Sequence, residues 1–235
     1  RNILLNRIYK DVFESENARG KIHTKENVSS IDNITISNFS YRYPESKNLI
    51  FENTSIELKK GNIYALTGDS GTGKSTLVDL ISGLLKINSG EYKVNHINFK
   101  DEYPTIKMNL GYVTQSTSLI DDSLKKNICM DLKLFDPKKY LKAIEVSQLS
   151  DFINSLSDGD KTPLGEKGTK ISGGQKQRIG IARSIYKEPS ILIFDESTNA
   201  LDKNSEDKIF EKIAKIKKDK IMIIISHNDN ILKFC

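Results

Sequence analysis

Hydrophobic and polar positions follow two rhythms along these 235 residues. Short apolar or alternating stretches at 34–39, 56–58, 64–67 and 111–114 predict strands, and 91–97 reads as a further β segment. The uninterrupted runs 191–194 and 221–225 read as strands buried on both faces. Between them the period changes to that of a helix. Residues 74–85 predict a helix that ends before Ser89-Gly90, 122–154 is mostly helical, and the segment from Lys176 to Ser184 has helical spacing. Residues 205–217 place Ile209, Ile213 and Ile216 on one face of another helix. Near the start, Leu4, Ile8 and Val12 predict an amphipathic helix over 3–13, and the polar, aperiodic 14–30 reads as a linker. Strands alternating with helices predict an α/β fold with a parallel sheet. The chain shows no internal repeat, so it contains one such unit.

Composition narrows the class only slightly. With 37% hydrophobic and 29% charged residues the chain reads as a globular domain. Its longest apolar run, 221–225, is far short of the roughly 20 residues that span a bilayer. Two separated cysteines, Cys129 and Cys235, give no disulfide framework and suit a reducing compartment. The net charge of +5 is mild and spread out, and the lysines between 208 and 220 fit a solvated helix face. Charge therefore gives no support for a nucleic-acid partner.

Candidate chemistry begins after the strand at 64–67. Gly68-Asp69-Ser70-Gly71-Thr72-Gly73-Lys74-Ser75-Thr76 has the spacing G-x-x-x-x-G-K-[ST], placed where a strand turns into a helix. Glycines let such a loop wrap closely around phosphate groups with its N–H groups pointing inward. Lys74 can reach terminal phosphates, Ser75 can ligate Mg²⁺, and the following helix adds its N-terminal dipole. Farther along, Ile171-Ser172-Gly173-Gly174-Gln175 precedes a helix, and the strand at 191–194 runs into Asp195-Glu196.

Taken in order, these elements resemble the nucleotide-binding domain of ATP-binding cassette (ABC) transporters over nearly the whole chain from Asn33 onward. The family pattern of Walker A, Q-loop, signature, Walker B, D-loop and H-loop is matched by Gly68–Thr76, Gln115, Ile171–Gln175, Ile191–Glu196, Asn199–Asp202 and His227. The resemblance implies a P-loop NTPase core with a parallel sheet, an N-terminal antiparallel β subdomain, and a helical subdomain over about 121–185. It also implies roles. Lys74 contacts the β- and γ-phosphates of ATP, Glu196 is the general base, and His227 contacts the γ-phosphate. Ser75, Asp195 and Gln115 surround Mg²⁺. Tyr43 stacks on adenine, with Tyr41 as the alternative. Ser172, Gly173, Gly174 and Gln175 complete the site of a second cassette, and Asp202 belongs to the loop linking the two sites. This chain departs from the family in carrying Asn199 where Ser is usual and Ile171 where Leu is usual.

Gly165-Glu166-Lys167-Gly168, shortly before the signature, and Ser118 to Ser123 followed by Asn127-Ile128 resemble elements of exporters. The expectation is a motor domain of an exporter or flippase, with 1–30 arriving from a preceding membrane-spanning domain and 31–235 forming the ATPase domain. Relatives carry further elements after the H-loop, so a truncated C-terminus is expected. The expected location is the cytoplasmic face of a membrane, the bacterial inner membrane in particular. The alternatives are a soluble, non-transport ABC ATPase and a cassette that binds ATP as a regulatory switch.

Overall fold

The computed structural model describes residues 30–99, 110–165, 168–169, 171–227 and 229–235. The expected helix at 3–13, the linker through residue 29, and Glu166 and Lys167 lie outside the described residues.

Two sheets organise the chain. The first is antiparallel, in the order β2-β1-β4-β5, from β1 (Asn33–Tyr41), β2 (Phe51–Lys59), β4 (Ser89–Val94) and β5 (Ile97–Phe99). The second is parallel, in the order β3-β8-β7-β6, from β3 (Ile63–Leu66), β6 (Leu110–Val113), β7 (Ile191–Asp195) and β8 (Ile221–Ile225). Parallel strands require crossover connections, and helices supply them. These are α1 (Lys74–Ile81), α2 (Leu124–Cys129), α3 (Pro137–Val146), α4 (Ser150–Asn154), α5 (Gly173–Tyr186) and α6 (Lys203–Lys215).

The apolar runs 191–194 and 221–225 are divided between two cores. Ile191, Ile193, Ile221, Ile223 and Ile225 face Val78, Leu80 and Ile81 of α1 together with Ile34, Ile36 and Tyr92 of the antiparallel sheet. Leu192, Phe194, Met222 and Ile224 face Ile179, Ile181 and Ile185 of α5 and Ile209, Phe210 and Ile213 of α6. Successive strand residues point to opposite faces, so a central strand with both faces covered must be apolar throughout. Each such side chain, fully buried, contributes about 1.5–3 kcal/mol of transfer free energy.

The elements differ from the expected ones in ways that caps and turns explain. The segment 91–97 is a hairpin rather than one strand, because Asn95 adopts a left-handed φ of 55° and reverses the chain. Helix α1 stops at Ile81, and Gly83 follows at φ 68°. Region 122–154 divides into α2, α3 and α4, the first two opened by side-chain caps at Ser123 and Asp136. Asp202 caps α6 through the Ser205 amide, so that helix begins two residues before the expected start.

The register places the chemistry. Leu66 pairs with Ile225, Ile225 with Asp195, and Val113 with Phe194, so all four parallel strands end at one edge of the sheet. The loops after β3, β6, β7 and β8 carry the Lys74, Gln115, Glu196 and His227 positions respectively. This carboxyl edge is where open α/β sheets bind ligands.

Candidate nucleotide site

Between β3 and α1 the loop is shaped by glycines with positive φ at Gly68 (135°), Gly71 (85°) and Gly73 (93°). Gly73 also has no room for a side chain, since a Cβ there would lie 2.8 Å from Ile50 Cγ2. The loop closes on its own cation: Lys74 Nζ donates to the carbonyls of Gly68 at 2.8 Å and Asp69 at 2.7 Å. Beside it lies a cleft of about 290 Å³, lined by Tyr43, Ile50, Ser70, Gly71, Gly73, Lys74, Ser75, Thr76, Glu196, Ile225 and His227. Gly68, Asp69 and Thr72 complete the loop without lining the cleft, and Thr72 Oγ1 donates to the Asp69 carbonyl at 2.9 Å.

Geometry separates the two tyrosines that the sequence left as alternatives. Tyr41, on β1, is 3% exposed and belongs to the core, where burial raises its pKa. Tyr43 lies two residues beyond, is 42% exposed and forms the cleft wall, with its hydroxyl 3.1 Å from Thr76 Oγ1. The rings meet edge to face at 5.4 Å, so the buried tyrosine supports the exposed one.

Strand β7 ends in two carboxylates that part company. Asp195 still pairs with β8, and its Oδ2 accepts a hydrogen bond from the Tyr112 hydroxyl of β6 at 2.8 Å. Glu196 adopts a left-handed φ of 47°, and its amide donates to the Ile225 carbonyl at 3.0 Å. A non-glycine residue in this region is strained by about 1 kcal/mol or more. The turn sends the Glu196 carboxylate toward the loops after β6 and β8. His227 Nε2 lies 2.8 Å from Oε1, while Gln115 Nε2 at 3.2 Å and Asn199 Nδ2 at 3.3 Å donate to Oε2. The structure thus brings Lys74, Ser75, Glu196 and His227 to one cleft, with Gln115 reaching its edge through Glu196.

The signature residues lie elsewhere. Ser172, Gly173, Gly174 and Gln175 line a separate hollow of about 430 Å³ with Phe152, Arg178, Ala200, Leu201 and Asp202, and no phosphate-loop residue borders it. Ser172 and Gln175 form a reciprocal capping box at the start of α5: Gln175 N donates to Ser172 Oγ, and Ser172 N donates to Gln175 Oε1. Asp202 is engaged with Ser205, whose hydroxyl and amide hold its pKa below the usual carboxylate value. The two hollows are linked internally by buried Gln177, whose Nε2 donates to the Gln115 carbonyl at 3.4 Å and whose Oε1 accepts from the Ala200 amide at 3.0 Å.

The donor set suits a hard cation. The Ser75 hydroxyl, Asp195 carboxylate and Gln115 amide all offer oxygen, and Mg²⁺ is held by one or two carboxylates together with substrate phosphates and water. Two groups beneath this set were not singled out from the sequence. Tyr112 has its pKa raised well beyond the ordinary value, first by burial and then by the Asp195 charge. Asp79 of α1 is pushed up to about 6, again by burial first and by the Asp195 charge second. Tyr112 lies inside Gly111-Tyr112-Val113-Thr114-Gln115, the stretch read for its glutamine. Its polar end in a short core strand was the available signal.

Known proteins carry the same plan. The family described as ABC transporter matches residues 51–199, more than half of the chain. The chain is 38% identical over 196 residues to ABC transporter B family member 21 of Arabidopsis thaliana, covering 83% of this chain and 15% of that protein. It is 36% identical over 196 residues to the ATP-dependent lipid A-core flippase of Aliivibrio fischeri, covering 83% of this chain and 34% of that one. Among solved structures, a bacterial Atm1-family ABC exporter with ATP bound matches at a TM-score of 0.78 and 30% identity, over 87% of this chain and 36% of its own. The chain therefore spans about a third or less of the length of these relatives. A phosphate loop at the carboxyl edge of a parallel sheet, a paired acid at the end of β7 and the family match over both place this chain in the ABC transporter family, whose ATP-binding domain it carries.

Proposed function

We propose that this domain hydrolyses ATP to ADP and phosphate and drives the export or flipping of a substrate by a membrane-spanning domain. The observation that carries the reading is the Glu196 carboxylate, held by His227, Gln115 and Asn199 on the wall of the cleft that the phosphate loop also lines. Phosphoryl transfer to water needs little covalent help from a protein. It needs positioned charge, oriented N–H groups and a base for the attacking water.

Tyr43 offers a ring face for adenine at the cleft wall. The amides of Gly71 to Ser75 and the α1 N-terminus receive the phosphates, and Lys74 exchanges its loop carbonyls for phosphate oxygens. Ser75, Asp195 and Gln115 would hold Mg²⁺, with the glutamine ligating through its amide oxygen while its nitrogen goes to Glu196. When bound, the cation neutralises charge on the phosphates and orients them. Glu196 takes the water proton as general base, and His227 donates toward the terminal phosphate.

No residue of the chain's own phosphate loop lines the signature hollow. Its amides at the α5 N-terminus suit an anion brought by a second cassette. Pairing head to tail would complete two shared sites. The domain then works at the cytoplasmic face of a membrane, in the bacterial inner membrane when the host is bacterial. Sequence kinship to a flippase and structural kinship to an exporter support this reading. Phosphate release from ATP by the purified domain, with Mg²⁺ and with EDTA, tests it. Metal-dependent release that Lys74→Ala abolishes together with ATP binding is expected, and ATP binding by Lys74→Ala equal to the parent would refute the phosphate-cradle assignment.

A further inference from the structure

Asp195 ends β7 at the sheet edge, and a single carboxylate at a strand end is free to rotate about its side-chain bonds. Its neighbour on the β6 side is Tyr112, paired in register with Ile193 and long enough to reach two residues farther along the adjacent strand. The phenol donates to Asp195 Oδ2 at 2.8 Å. We propose that the Tyr112 hydroxyl is a positioning group for the Mg²⁺ site, fixing one oxygen of Asp195 so that the other is presented to the cation. This rests on the reading of Ser75 and Asp195 as cation ligands given above.

The surroundings explain why a hydroxyl is needed and a plain ring would not serve. The Tyr112 ring packs with the apolar cluster between the sheets, so its shape alone would satisfy the core. Asp79 of α1 brings a second acidic group to bear on both Asp195 and Tyr112. A donor aimed at Asp195 offsets that like charge and fixes the direction in which the remaining lone pairs point. Groups that hold metal ligands in this way, when removed, typically lower metal affinity by about 10- to 100-fold.

The test is Tyr112→Phe, which keeps the ring and removes only the donor. Binding of a fluorescent ATP analogue is titrated against Mg²⁺ from an EDTA-buffered start, so the readout does not depend on turnover. The variant should melt within a few degrees of the parent and bind the analogue equally in EDTA. Its half-saturating Mg²⁺ concentration should rise about 10-fold. In an Asp195→Ala background the same substitution should add no further shift, because the group it positions is already gone. An unchanged Mg²⁺ midpoint in Tyr112→Phe overturns the proposal, as does a shift of equal size with and without Asp195. Failure of the parent domain to bind the analogue at all would overturn the nucleotide-site reading itself, and this proposal with it.

Discussion

At the scale of single residues, Glu196 and Asp79 are carboxyl groups whose surroundings make separate predictions. Glu196→Gln keeps the shape and two of the three contacts but cannot accept a proton. ATP hydrolysis should fall by about 10²- to 10⁴-fold with ATP affinity nearly unchanged, measured as turnover against equilibrium binding. Near-parental turnover would remove Glu196 from the reaction. Asp79 makes a prediction about stability. Its folded-state pKa of about 6 is above the ordinary 3.8, so the folded chain binds this proton more tightly than the unfolded one. Its favourable contribution is present below pH 4 and is lost as pH rises through 6. Asp79→Asn should therefore match the parent near pH 4 and exceed it above pH 6 by roughly 1–2 kcal/mol, after discounting for solvent screening. Denaturant midpoints across that range measure it, and a constant offset would assign the change to packing. The sequence made Asp195 and Glu196 legible because they end a recognisable strand. Tyr112 and Asp79 were not legible as a pair with Asp195, because their meeting depends on β6 lying beside β7 and on α1 packing beneath both.

Elements were read most reliably where one period ran without interruption. The strand at 221–225 has the observed bounds, and 191–194 gains only Asp195. What stayed illegible was punctuation. Asn95 gave no sign of a hairpin because asparagine tolerates a left-handed conformation without requiring it. Gly90, expected with Ser89 to follow the end of a helix, lies inside β4 at φ 106° opposite the irregular register of β1 between Ser37 and Ser40. A Cβ there would lie 2.6 Å from both Phe39 Cα and the Ser37 carbonyl. Backbone cannot step aside as a flexible side chain can. Gly90→Ala should cost about 2–4 kcal/mol, seen as a lower urea midpoint, and a loss under 1 kcal/mol would mean that β1 and β4 are not packed as described.

At the scale of the molecule, two hollows on one chain ask for two chains. ATP should drive head-to-tail pairing, best seen in Glu196→Gln, where slow turnover preserves the bound nucleotide, because a ligand bound across an interface stabilises it by mass action. Ser172→Arg should block that pairing while the monomer still binds ATP. Sedimentation with ATP and Mg²⁺ reads both, and a Glu196→Gln domain that stays monomeric at every accessible concentration would show that this chain alone does not form the shared site. The division of β7 and β8 between two cores carries a calorimetric consequence. Ile223 belongs to one core and its neighbour Met222 to the other, so the pair of strands is a party wall with a tenant on each side. Neither tenant can melt without stripping the wall that the other leans on. Heat should therefore undo the described domain in one endotherm, with calorimetric and van't Hoff enthalpies equal, rather than peeling the antiparallel sheet away first.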